Sequence, residues 1–168
     1  MRTPGYDLEL AAGFLFTEGI IHSRDDLATL HHDEACKPTE RGNRVCATLR
    51  PGLEPDVENT RRGFLASAAC GICGKASIDS VRKTGIRRPN PAFRVEPDLL
   101  CTLPNVLLTA QEVFSHTGGL HAAGLFDASG ALLVHREDVG RHNAVDKVVG
   151  WALLNDEVLA PHGWPAFG

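Results

Sequence analysis

The sequence predicts a mixed α/β chain, and three observations carry that reading. Three segments repeat apolar residues at helical spacing. Two apolar stretches flank a turn-forming tetrapeptide, as in a strand pair. The composition, 43% hydrophobic and 23% charged over 168 residues, is that of an ordinary globular protein and excludes wholesale disorder. This length suits one domain, so a single domain over 1–168 is expected, subdivided into 1–90 and 91–168 at the breaker Arg87-Arg88-Pro89-Asn90-Pro91.

The first helix is expected from Thr3 to Gly19. Pro4-Gly5 interrupts the chain before it, and Asp7 is placed to cap the first turn. Leu8, Ala11, Ala12 and Leu15 share one face, and Glu18-Gly19 marks the stop. His22 to Asn43 is polar and reads as a loop. Its His31-His32 pair and Cys36 raise the idea of a metal, but no second ligand pair follows at a zinc-finger spacing. Arg44 to Leu49 alternates polar and apolar, which predicts a strand with Val45, Ala47 and Leu49 inward and Cys46 on the other face.

Thr60 to Gly74 reads mostly as loop, and Lys75 to Arg82 as a short helix with Ile78 and Val81 on one side. A second firm helix is expected from Leu103 to Phe114, with Pro104 in its first turn and an apolar stripe of Leu103, Val106, Leu107, Ala110, Val113 and Phe114. Thr117-Gly118-Gly119 ends it. Leu120 to Phe126 and Ala131 to His135 are strands joined by Asp127-Ala128-Ser129-Gly130. A third helix runs from about His142 to Leu154 and buries Val145, Val148, Val149, Ala152 and Leu153. The tail from Pro161 to Gly168 is turn-like and carries Trp164 and Phe167.

Several function classes are disfavoured at once. No apolar run approaches a bilayer span, and Met1-Arg2-Thr3-Pro4-Gly5 lacks the apolar core of a secretory leader. Five cysteines is an odd count and does not describe a secreted disulfide framework, so a reduced, cytoplasmic chain is expected. A net charge of −4 is unlike a duplex-DNA binder, so neither nucleic acid nor membrane is an expected partner.

Charge is nevertheless concentrated. Between Thr60 and Asn90 lie seven cations (Arg61, Arg62, Lys75, Arg82, Lys83, Arg87 and Arg88) against the single anion Asp79. This basic window surrounds Cys70-Gly71-Ile72-Cys73. It is either a solvated face or a field that favours thiolate and attracts an anion. Gly71 and Gly74 leave backbone N–H groups open for an anion-binding nest. A persulfide on one cysteine would be a soft, anionic cargo suited to such a setting, and the second cysteine could assist its release by exchange. A thioredoxin-like pair, a zinc site and two small buried residues compete. Ala66-Ser67-Ala68-Ala69 is a poor strand for the first, and Cys36 and Cys46 are poorly spaced for the second.

Two further clusters carry chemistry. His116-Thr117-Gly118-Gly119-Leu120-His121 offers a close backbone approach and a histidine that either relays a proton or caps the structure. Arg136-Glu137-Asp138-Val139-Gly140-Arg141-His142-Asn143, followed by Asp146-Lys147, lies at a strand-to-helix junction. It either receives an anion on Arg141, His142 and Asn143 or closes on itself as a network of ion pairs. The near balance of its acids and bases favours self-closure.

These blocks, with Arg2-Thr3-Pro4-Gly5, the stretch Gly13 to Ile21, Cys70 to Ser77 and Phe114 to Asp127, occur in an order that resembles the formate dehydrogenase accessory sulfurtransferase family, FdhD. The resemblance implies a fold similar to cytidine deaminases, a mixed sheet with helices on its faces, usually as a homodimer. His121 is followed by Ala122-Ala123 rather than an acid/base Glu, and no Pro-Cys-x-x-Cys follows, so deaminase chemistry is not expected. The implied activity is that of a sulfur carrier. A cysteine desulfurase would load Cys70, Cys73 would assist, and the sulfur would pass to the molybdenum cofactor, as bis-molybdopterin guanine dinucleotide, for formate dehydrogenase. No tightly bound cofactor or metal is expected, and no residue is assigned to cofactor contact. The alternative within the same resemblance is a cofactor-binding chaperone that carries no sulfur; a structural zinc protein is a third reading. Tyr6 stands where the family usually has His, and the chain is expected to be short at both ends relative to the family, with an incomplete fold.

Overall fold

A computed structural model describes residues 1–54 and 94–156. The mixed α/β class expected from the sequence is observed. In chain order the elements are helix α1 (Asp7–Thr17), strand β1 (Leu27–His32), strand β2 (Val45–Leu49), helix α2 (Pro97–Ala110), short helix α3 (Glu112–Thr117), strand β3 (His121–Phe126), strand β4 (Leu132–Asp138) and helix α4 (Arg141–Leu154). The described strands pair as two antiparallel ribbons, β1 with β2 and β3 with β4.

The β3–β4 ribbon is the centre of the layering. One face presents Ala123, Leu125 and Val134 to Ala144, Val148 and Ala152 of α4. Its other face, through Phe126, Ala122 and Leu132, packs on Leu99, Leu103 and Leu107 of α2. On β3 this is the period of two of a strand covered on both sides; on β4 the register shift opposite Leu125 and Phe126 puts Val134 and Leu132 on opposite faces. The hairpin turn is held by Asp127, whose Oδ1 accepts from the Ser129 amide at 2.8 Å and the Ala131 amide at 3.0 Å. Those bonds keep the Asp127 carboxyl below the usual range, the Ser129 side chain contributing most.

Helix α4 turns its opposite side to α1. The two helices cross with no side chain between them at Gly13 and Gly150. A Cβ on Gly13 would overlap the Asp146 carbonyl, and one on Gly150 the Glu9 carbonyl. Here glycine is required by close backbone approach rather than by dihedral freedom. Beyond the crossing, Ala12, Ile21, Leu27 and Leu153 form a third apolar cluster that ties α1 and β1 to α4.

Several local expectations are corrected. Helix α1 starts at Asp7, four residues later than predicted, because Tyr6 sits at its N-cap with φ 57, a left-handed conformation that cannot continue a helix. Asp7 is the first helical residue and makes no cap; its carboxylate pairs with Arg2 instead. The polar stretch 22–43 is not all loop: it contains β1, whose histidines hide the strand pattern but whose backbone ladders with β2. On β2 the predicted inward face fails at Ala47, which is exposed, since neither ribbon face there is fully covered by the described residues. The second helix begins at Pro97 and carries Pro104 in its interior. It ends at Gln111, whose ψ of 87° breaks the helical path before α3 resumes it. Val106 and Val113, expected in its apolar stripe, are exposed, as is Val145 on α4. Strand β4 runs on to Asp138, three residues past the prediction. The calls on 60–74, 75–82, 87–91 and 161–168 lie outside the described residues.

Candidate functional site

The densest polar constellation forms where β4 hands over to α4. Asp138 ends the strand and Lys147 sits in the second turn of the helix. Both are fully buried, and Lys147 Nζ lies 2.7 Å from Asp138 Oδ2. A buried pair is tolerable only when its remaining hydrogen-bonding capacity is used. It is used here. Asp138 Oδ2 also accepts from the Thr3 amide at 3.0 Å, and Oδ1 accepts from the Gly140 amide and Asn143 Nδ2, each at 2.9 Å. Lys147 Nζ donates further to the carbonyls of Thr3 at 3.0 Å and Glu137 at 3.3 Å. Burial pushes the Asp138 carboxyl up, but the bonds from Lys147, Gly140, Asn143 and Thr3 together outweigh it and hold the group below the usual carboxylate range.

Thr3 is therefore bound at three atoms. Its hydroxyl accepts from the Val139 amide at 2.9 Å, so its N–H, C=O and Oγ1 all dock on the junction. Its neighbours follow. Asn143 Nδ2 donates to the Met1 carbonyl at 3.0 Å, and Arg2 reaches the other way, to the Gly42 carbonyl and to Asp7.

A cleft of about 640 Å³ opens beside this segment. Arg2 and Asp7 form one rim, Gly42, Asn43 and Val45 another, and Asn143 and Asp146 of α4 a third, with Leu10, Ala11 and Phe14 between them. Asp146 is fixed by the Thr17 hydroxyl at 2.9 Å. Outside the cleft lining, Glu9 grips Arg136 with both oxygens, at 2.6 and 2.8 Å, and the Tyr6 ring stacks on the same guanidinium 3.8 Å from its carbon.

The junction block thus closes into a network, as the balance of its charges predicts, but it does so in part on Glu9 and Thr3, outside the block. Glu137 is also consumed: its two oxygens accept the Val113 and Phe114 amides and cap α3. Arg141 and His142 are exposed at the start of α4. What sequence reasoning missed is the role of Thr3 and Glu9, more than a hundred residues from their partners. No local signal marked them: Arg136 is followed by Glu137-Asp138 and Lys147 is preceded by Asp146, so both ends of the block look charge-balanced in sequence.

The other candidates are dispersed. His121 is exposed at the start of β3. His116 Nδ1 lies 2.8 Å from the Glu112 carbonyl on its own helix. The Cys36 sulfur donates to the Asp33 carbonyl at 2.9 Å, and among the described residues no three His, Cys, Asp or Glu side chains gather as a metal site. Cys36, Cys46 and Cys101 are free thiols. Cys70 and Cys73 lie outside the described residues. Among the described residues no helix is long and apolar enough to cross a membrane.

Comparison with known proteins gives a consistent answer. A sulfur carrier protein FdhD from Mycolicibacterium paratuberculosis is 50% identical over 158 residues, covering 91% of this chain and 57% of that protein. One from Mycobacterium tuberculosis is 44% identical over 168 residues, covering 94% and 59%. The chain therefore spans less than three-fifths of the length of these curated relatives. The crystal structure of a candidate formate dehydrogenase accessory protein from Desulfotalea psychrophila shares the fold, with a TM-score of 0.61 at 24% identity, over 92% of this chain and 53% of that one. The family model described as FdhD/NarQ matches residues 1–162, and the chain belongs to the FdhD/NarQ family.

Proposed function

We propose that this chain is the part of a sulfur carrier that holds the transferable sulfur, with Cys70 as the persulfide site and Cys73 as its assistant. The observation that carries the reading is the Cys70-Gly71-Ile72-Cys73 pair inside a strongly basic window of an otherwise acidic chain, in a family whose curated relatives are named sulfur carriers. Cations and open glycine amides lower a thiol pKa, and thiolate is the attacking species.

The loading step balances as an exchange. The Cys70 thiolate attacks the terminal sulfur of a persulfide on a cysteine desulfurase. A new S–S bond forms at Cys70, and the desulfurase thiolate leaves. In delivery, the Cys73 thiolate attacks the inner sulfur of Cys70. A Cys70–Cys73 disulfide forms, hydrosulfide leaves toward the acceptor, and a thiol reductant resets the pair. The acceptor in this reading is the molybdenum cofactor, in its bis-guanine-dinucleotide form, and the beneficiary is formate dehydrogenase. The described portion contributes a scaffold: a buried ion-pair junction and a cleft beside it.

The test is mass spectrometry of the chain after incubation with a cysteine desulfurase and L-cysteine. One reductant-labile added sulfur should appear on the Cys70 peptide and vanish in Cys70→Ser. If no sulfur is added at Cys70, or if Cys70→Ser still supports maturation of formate dehydrogenase in cells, the carrier reading fails, and a cofactor-binding chaperone takes its place.

A further inference from the structure

Outside the proposed sulfur chemistry, the buried charge at the junction has work that sulfur transfer does not explain. Asp138 and Lys147 are fully buried, and neither lines the cleft. Two apolar residues in their place would avoid the desolvation of two ions. What the charges reach, and apolar residues could not, is the backbone of Thr3: one charge takes its N–H and the other its C=O. On either side of Thr3 the contacts continue outward, through Asn143 to Met1 and through Arg2 to Asp7 and Gly42.

The next three residues are different in kind. Pro4, Gly5 and Tyr6 are all exposed, with Gly5 at φ 99 and Tyr6 at φ 57. A Cβ on Gly5 would meet nothing within 4 Å. Tyr6 is then fixed from beyond by its stack on Arg136, itself held by Glu9. The sequence of features is a held segment, an uncrowded hinge and an anchored pivot. Arg2, in the held segment, spans the cleft from the α1 rim at Asp7 to the rim at Gly42.

We propose that residues 1–3 form a strap over this cleft and that the Asp138–Lys147 pair is its latch, so that the strap and the first turn of α4 open as one unit. The coupling is specific. Lifting Thr3 takes one donor from Asp138 and one acceptor from Lys147, and it frees the Val139 amide. Asn143 bridges Asp138 and Met1, so the same motion takes one of its two acceptors, and the Asp138 carboxylate, short of a donor, is freed to shift with the Gly140 amide and Asn143 that it holds at the helix start. Opening in pieces would leave buried polar groups unpaired, and that cost makes it cooperative. The strap turns on the Pro4–Tyr6 hinge and widens access to the cleft.

Native-state amide hydrogen exchange on the whole chain, resolved by NMR, tests this. The amides of Thr3, Val139 and Gly140 report three separate bonds of the latch. They should exchange at one common rate, faster than the Val148 amide in the centre of α4, which reports global unfolding. Arg2→Ala touches none of these bonds. It should nevertheless speed all three amides in step by about tenfold, the size of one to two lost hydrogen bonds, while leaving Val148 unchanged. Thr3→Val, which removes only the hydroxyl acceptor, should act likewise on Thr3 and Gly140 as well as Val139. If Arg2→Ala accelerates Thr3 alone, the strap is not coupled to the junction. If all three amides exchange at the Val148 rate in both variants and in the parent, no separate opening exists. Either result overturns the proposal, and neither bears on sulfur loading at Cys70.

Discussion

Replacing Lys147 by Met is the sharpest probe of the junction. Met keeps the length and most of the volume of the side chain but removes the charge and all three donors. The variant leaves Asp138 with the Thr3 and Gly140 amides and Asn143, but without a counter-ion, at a position with no solvent exposure. Removing one member of a buried pair costs about 3–5 kcal/mol, because the partner is stranded as an uncompensated charge. The Thr3 and Glu137 carbonyls lose a donor too, and that belongs to the same figure. Against a whole-domain stability of roughly 5–15 kcal/mol, the loss brings the fold near its threshold. Urea unfolding followed by circular dichroism measures it as a fall in midpoint.

The pH dependence supplies the signature. In the parent, the folded Asp138 carboxyl lies below its unfolded value. Its contribution is complete above the ordinary carboxylate pKa and is lost as pH falls through the depressed folded value. In Lys147→Met, burial acts unopposed by the ammonium and moves the carboxyl upward instead. That protein sheds stability as pH rises through the raised value. The gap between the two is therefore widest near neutrality and closes in acid. The double change Asp138→Asn with Lys147→Met should recover part of the loss at neutral pH. A gap below about 1 kcal/mol, or one that does not change with pH, refutes the account of the pair.

Other consequences follow from single contacts. Gly150→Ala drives a methyl into the Glu9 carbonyl, which is backbone and cannot swing away, so it should cost about 1–3 kcal/mol or more and lower the thermal midpoint; an unchanged midpoint would show that the helices slide apart freely. Phe126→Ala empties the centre of the α2 cluster and should cost about 3–5 kcal/mol in urea unfolding, with the slope unaltered. Glu137→Ala removes the acceptor of the Val113 and Phe114 amides, and a loss of about 1 kcal/mol with faster exchange of those two amides is expected. Should the two amides keep their protection, α3 is capped by something other than this carboxylate.

The readable parts of the fold are those whose signal is local. The α4 stripe of Val148, Val149, Ala152 and Leu153 and the Asp127–Gly130 turn were visible because periodicity and turn chemistry act over a few residues. Strand β1 was not. Its His31 and His32 look solvated in isolation, and only the ladder to Cys46 and Val45 makes the segment extended. Pro104 misled in a similar way. A proline suits a first turn, yet α2 carries it inside because Leu99, Leu103 and Leu107 bury one continuous face on Phe126, and that packing outweighs one missing amide bond. Tyr6 gave no sign of its left-handed backbone, since its stack on Arg136 is a tertiary contact.

The junction block shows how far charge counting goes and where it stops. From Arg136 to Lys147 the acids and bases nearly cancel, which argues for a closed network over an anion site. Yet the closure is not internal. Arg136 takes its carboxylate from Glu9, and the Asp138–Lys147 pair completes itself on the Thr3 backbone. Local neutrality was thus the right reason to expect closure and the wrong guide to its partners. Only Arg141 and His142 are left exposed to meet an anion, and they stand on a helix start whose Asp138 carboxylate already occupies the Gly140 amide. A negative group at that position works against a second one beside it. The block is accordingly a closed network that supplies one rim of the cleft through Asn143 and Asp146.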